Sequence, residues 1–199
     1  MIESAATFLS AGRYFREVLA NVPPTAWNAP GLDDWTVRTL AGHTNRALST
    51  VLTYLGRPAE KVQVESAADY YLATGLANDP RVTERAIAAG KELGAHPVDM
   101  VDRLLAQLEN TLPLAEDRII ETAAGGMRFR DYLPTRIFEL AVHTLDLSRA
   151  CGLVAELPKD VELEAGRLAI QIASERGDGA LVLLALTGRT ILPGDFSVV

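Results

Sequence analysis

Hydrophobic positions in the first part of the chain recur at helical spacing. From Ile2 to Asn21 the apolar residues Ala5, Phe8, Leu9, Phe15, Val18 and Leu19 fall on one face. Val22-Pro23-Pro24 stops this helix, because proline excludes the helical conformation for the residue before it. The Asn-, Pro- and Gly-rich stretch up to Asp33 reads as a loop. A second helix opens near Asp34 to Thr36, either of which can cap it, and continues to Leu55 before Gly56-Arg57-Pro58. Its apolar stripe is Val37, Leu40, Ala41, Thr44, Leu48, Val51 and Leu55. A third helical stretch covers about Glu65 to Leu76. Asn78-Asp79-Pro80 breaks it and opens a further segment to about Leu93, with proline in the favoured first turn.

His96-Pro97 repeats that device and starts a helix to about Thr111, with Val98, Val101, Leu104, Leu105 and Leu108 inward. Leu112 to Met127 lacks a helical period. There Ile119-Ile120, Gly125-Gly126 and Met127-Arg128-Phe129 suggest a short hairpin. The helical period returns from Asp131 to Cys151, with Leu133, Ile137, Leu140, Thr144, Leu147 and Cys151 in one stripe and Gly152 as the stop. A last long helix runs from Lys159 to Arg176, and Gly177-Asp178-Gly179 turns the chain into the apolar run Ala180 to Leu186. Long amphipathic helices joined by short breaks predict an all-α helical bundle. No repeat or low-complexity linker divides residues 1–199, so a single domain is expected.

Composition supports this reading and excludes several functions. The 199 residues include 29 Ala and 28 Leu, both strong helix formers. A single cysteine rules out an internal disulfide framework and a Cys-rich zinc module. The net charge of -7 argues against a nucleic-acid backbone or an anionic membrane as partner, since both select for basic patches. The N-terminus lacks the basic and apolar regions of a signal peptide, and Ala180 to Leu186 is far short of the roughly 20 residues that span a bilayer. A soluble, acidic, cytoplasmic protein is the expectation.

Candidate chemistry comes from two helices. Glu139 and His143 stand four residues apart, so their side chains leave one face a turn apart, near an edge of the apolar stripe. His43 holds the corresponding place at the edge of the stripe on the Asp34 to Leu55 helix. Two imidazoles and a carboxylate suit a divalent transition metal, and three protein ligands leave a position open. Spacing alone also admits an exposed Glu–His pair and a separate edge histidine. His96 precedes Pro97 in a loop and reads as a capping or surface residue, and Cys151, without a basic neighbour, reads as core.

The segment Asp34-Trp35-Thr36-Val37-Arg38-Thr39-Leu40-Ala41-Gly42-His43 resembles the metal-binding helix of the mycothiol-dependent maleylpyruvate isomerase family, in the DinB-like superfamily. The stretch from Tyr132 to Leu147, with Phe138-Glu139-Leu140-Ala141-Val142-His143 at its centre, resembles that family's second motif. The ending Leu183-Leu184-Ala185-Leu186-Thr187-Gly188-Arg189 is similar to family members of about this length. The resemblance puts the family's ligands on His43, Glu139 and His143. It implies a DinB-like four-helix bundle with short additional helices and a small hairpin.

It also implies a divalent metal, zinc first and nickel, iron or manganese as alternatives, with mycothiol as co-substrate. The implied chemistry is isomerisation or S-transfer on a small electrophile through a metal-bound thiolate. The isomerase itself carries an additional C-terminal domain beyond the length of this chain, which leaves the substrate open and makes a non-catalytic metal- or ligand-binding module the alternative. A homodimer is compatible with the resemblance, although no exposed apolar stripe is evident. The 16 Arg against 3 Lys suit an actinobacterial source.

Around the expected site, Arg136 is placed either to salt-bridge Glu139 or to bind a carboxylate on substrate or thiol. Asp146 is placed either to orient the His143 imidazole or to lie solvated on the polar face. Trp35 and Tyr132, at the starts of the two motif helices, read as packing residues.

Overall fold

Each apolar stripe finds a partner in the structure, a computed structural model that describes residues 2–74, 80–154 and 156–199. In chain order its elements are α1 (Ala5–Ala20), β1 (Pro30–Leu32), β2 (Trp35–Thr36), α2 (Val37–Leu55), α3 (Ala67–Thr74), α4 (Pro80–Glu92) and α5 (Pro97–Thr111). A 3-10 turn follows at Leu112–Leu114, then β3 (Ile119–Thr122), β4 (Gly125–Arg128), α6 (Phe129–Ala150), α7 (Lys159–Glu175) and α8 (Gly179–Leu186). The four main helices close a ring in which α1 and α2 each pack against both α5 and α6. Phe8, Phe15, Leu40, Leu48, Leu108, Leu133 and Ile137 fill its centre, each with no exposed surface or almost none. Outside the ring, α4 lies on α2, α7 covers α6 and α1, and α3 is wedged against α6 and α7. This is an all-α DinB-like bundle.

Local chemistry sets the helix starts that matter for the site. Thr36 is extended, at φ -75 and ψ 162, and its hydroxyl accepts from the Thr39 N–H at 3.2 Å, so α2 begins one residue later. The second site helix starts by a different device. Asp117 Oδ1 accepts from the Arg130 backbone N–H at 3.0 Å, satisfying a first-turn donor from across the chain. The hairpin β3–β4 pairs antiparallel from Ile119 opposite Arg128 to Thr122 opposite Gly125. The α2–α3 connection is strapped to it: Ala59 N–H donates to the Ile119 carbonyl, and Val64 N–H donates to the Gly126 carbonyl. That strap joins the end of α2 to the beginning of α6. At its far end α6 stops on Gly152, whose φ of +65 suits glycine, with Leu153 N–H returning to the Ser148 carbonyl.

Several expectations need correction. The segment before α2 is not simply loop, because β1 and β2 form a tight antiparallel pair around Asp33, which takes φ 48. Trp35 therefore lies in β2 and not in the helix. Phe129 belongs to α6 and not to the hairpin, since the distant Asp117 cap extends the helix by two residues beyond the expected Asp131 start. Cys151 is only half-buried, because the helix ends there. The apolar run Ala180 to Leu186 forms α8 without a buried residue, and Leu183, Leu184 and Leu186 are exposed. A run apolar on every side has no period, so the sequence did not disclose that exposed face. The expected break at Asn78-Asp79 and the end of the third helix at Gly75-Leu76 lie outside the described residues. No described helix is long and apolar enough to cross a membrane.

A close helix approach lies beside His43. A Cβ on Gly42 would meet Gly90 N at 2.2 Å and Gly90 Cα at 2.5 Å, so α2 and α4 touch backbone to backbone at this crossing. Gly42→Ala must push α4 away. It is expected to cost about 1–3 kcal/mol in urea-unfolding stability. Gly166→Ala, on the exposed face of α7 with nothing near the added Cβ, is expected to stabilise by about 0.5–1 kcal/mol.

Candidate metal centre

Two turns into α2 and midway along α6, His43, Glu139 and His143 point into one space between the helices. Glu139 Oε2 lies 3.4 Å from His43 Nε2 and 3.4 Å from His143 Nε2. The ligand atoms of the three side chains are all within 4.8 Å of one another. The side chains are 16%, 17% and 18% exposed, so the cluster is shielded but reachable. The two imidazoles meet edge to face, with centroids 4.8 Å apart at 87°.

The two Glu139 contacts are longer than a charge-assisted N–H···O bond of roughly 2.7–2.9 Å. A tetrahedral ion with bonds of about 2.1 Å holds its ligands about 3.4 Å apart. The donor set suits a divalent ion with three protein ligands, and the two edges at Glu139 match that length.

The surroundings orient each member. His143 Nδ1 lies 3.2 Å from Asp146 Oδ2, which directs the other ring nitrogen toward Glu139. Of the two readings of Asp146, this is the one its geometry matches. Tyr71, from α3, donates its hydroxyl toward Glu139 Oε1 at 2.9 Å and toward the Thr135 carbonyl at 3.0 Å. Trp35 packs its ring 4.8 Å from that of His43, and its indole N–H donates to Thr83 Oγ1 at 3.3 Å. Trp35 is thus part of the site wall, whereas Tyr132 is a fully buried packing residue whose hydroxyl donates to Thr50 Oγ1.

Arg136 is buried between two rings, its guanidinium carbon 4.9 Å from the centroid of Tyr132 and 5.3 Å from that of Tyr70. Among the described residues its one hydrogen bond runs from Nε to Thr135 Oγ1 at 3.0 Å. A cavity of about 710 Å³ opens over the cluster and includes Trp35, Arg46, Tyr70, Tyr71, Arg136 and Arg176 in its walls. His96 lies at the N-terminus of α5, away from this cavity, and makes no side-chain cap.

The charges are strongly coupled. Burial alone would raise the Glu139 carboxyl, but attraction to His143, His43 and Arg136 outweighs burial and holds it well below the usual carboxylate range. His43 is pushed down, chiefly by burial, and is neutral near pH 7. For His143 burial works against the charge, yet Asp146 and Glu139 on either side raise it to about 9.

Sequence reasoning missed Tyr71, Tyr70 and Arg46. The short α3 carries a cue at its start: Ser66 Oγ accepts from the Asp69 N–H at 3.1 Å, an S-x-x-D cap that fixes where the helix begins. Nothing local shows that Tyr71 then faces Glu139.

Residues 8–148 match the family model described as the mycothiol maleylpyruvate isomerase N-terminal domain. That span contains every residue of the cluster. No curated protein and no solved structure gives a significant match to the chain.

In the metal-free protein, His143 is expected to titrate near pH 9 by histidine NMR and His43 below its ordinary 6.5. Because the folded value of His143 is raised, its contribution to stability is complete below pH 6.5 and disappears as pH rises through about 9. Asp146→Asn is expected to move the His143 midpoint down toward 6.5, and an unmoved midpoint would remove Asp146 from this role.

Proposed function

The chain belongs to the mycothiol maleylpyruvate isomerase N-terminal domain family, and from that membership we propose that it is a metal- and thiol-dependent transferase or isomerase acting on a small electrophile. The observation that carries the proposal is the convergence of two imidazole nitrogens and one carboxylate oxygen, all within 4.8 Å of one another, with Glu139 Oε2 at 3.4 Å from each nitrogen. His43 Nε2, His143 Nε2 and Glu139 Oε2 are the proposed ligands. Zinc suits the donor set best, and mycothiol is the proposed thiol. When bound, the ion supplies Lewis acidity that brings a thiol's pKa low enough for the thiolate, the reactive nucleophile, to form near neutrality.

The chain's own residues divide the remaining work. Asp146 accepts the His143 Nδ1–H and so presents the Nε2 lone pair to the site. Trp35 and the Tyr70–Tyr71 pair wall the cavity with aromatic surface, which limits water around the reacting groups. Arg136 is held rigidly between Tyr70 and Tyr132 with most of its donors free of protein acceptors among the described residues. A guanidinium held in this way suits a carboxylate on the electrophile or on the thiol.

The wild-type protein is expected to bind one divalent ion per chain, and His43→Ala or Glu139→Ala to lose it, read by elemental analysis after dialysis. A wild type that retains no ion sinks the catalytic reading. With zinc and mycothiol, turnover of at least one of a panel of small electrophiles is expected, and its absence leaves a binding module. Since His143 must give up its proton, ion uptake at pH 7 should release about one proton, and affinity should rise with pH to about 9. Calorimetry in buffers of different ionisation enthalpy measures this directly.

A further inference from the structure

A carboxylate can ligate an ion through one oxygen or through both, and the choice decides how many positions remain open. At Glu139 the two oxygens have different surroundings. Oε2 lies 3.4 Å from both imidazole nitrogens, while Oε1 lies 2.9 Å from the Tyr71 hydroxyl. We infer that Tyr71 is a positioning residue that holds Glu139 to single-oxygen ligation and so keeps the fourth coordination position free for an incoming ligand. The inference rests on the metal reading of the cluster.

Two observations support it. The Tyr71 ring is clamped, edge-on to Phe138 at 5.4 Å and to Tyr70 at 5.7 Å, so its hydroxyl has a fixed reach. The second acceptor within reach, the Thr135 carbonyl at 3.0 Å, is neutral, so the one hydroxyl proton goes preferentially to the charged carboxylate. Without this donor, Oε1 would lose its partner and be drawn to the ion, closing the position that a three-ligand site leaves open.

The test is Tyr71→Phe, which removes only the hydroxyl, with Co2+ as the probe. The wild type should show the intense visible bands of four-coordinate cobalt. In Tyr71→Phe these bands should weaken toward a five-coordinate spectrum, and Co2+ affinity should fall about 10–100-fold. Unchanged spectrum and affinity in a folded Tyr71→Phe would overturn the role of Tyr71 while leaving the metal centre intact. A wild type that binds no Co2+ would overturn the metal reading and this inference together. If Tyr71→Phe loses its helical circular dichroism, the wild type alone decides. Infrared difference spectra on Zn2+ loading should show the wide carboxylate splitting of one-oxygen ligation, and a narrow two-oxygen splitting would overturn the inference.

Discussion

Everything at the centre of this bundle answers to one buried charge. An isolated carboxylate withdrawn from water is too costly to remain ionised, and Glu139 remains ionised only because partners surround it. His43 comes from α2, Tyr71 from α3, and His143 and Arg136 from α6 itself. Remove the carboxylate and the Arg136 cation between two tyrosine rings loses its nearby counter-charge, as does the charged form of His143. The packing of three helices is therefore also an electrostatic agreement, and each helix must arrive in register for the charges to balance.

The bundle supplies that register by unyielding contacts. Thr36 fixes the first turn of α2, and the Gly42–Gly90 crossing fixes how closely α4 may lie against it. The strap from residue 57 to residue 64 ties the end of α2 to the hairpin from which α6 springs. His43 and Glu139 thus face each other across a distance set by backbone geometry at both ends. Such preorganisation sets the separation of the donors by the backbone rather than by flexible side chains.

Much of this was legible in the sequence. The stripes of α1, α2, α5 and α6 placed most of their residues in the core, because a one-sided helix must show its period, while Leu9, Val98, Leu104 and Cys151 are only half-buried. His43, Glu139 and His143, singled out by their position at stripe edges, lie together in the structure, and Asp146, singled out by its offset, lies 3.2 Å from the His143 ring. What escaped was whatever depends on distant partners. Asp117 caps a helix 13 residues away, Tyr71 reaches across 68 residues to Glu139, and Trp35 meets His43 only because a two-strand turn folds it back. Arg136 was singled out, but not its sandwich between Tyr70 and Tyr132, since aromatic residues on separate helices leave no shared period. The uniformly apolar α8 gave no period either, so its exposed face could not be read.

The long sequence separation within the cluster has a consequence for how the protein reaches its native state. Local helices can form early, but contacts that close large loops carry an entropic cost that is recovered only after the loop ends meet. His43 and Glu139 lie nearly half the chain apart, with the hairpin and three helices between them. A chain emerging from the ribosome holds α1 and α2 long before it holds α6, so its first ligand waits without partners. The centre therefore depends on contacts that exist only once α2, α3 and α6 have packed together.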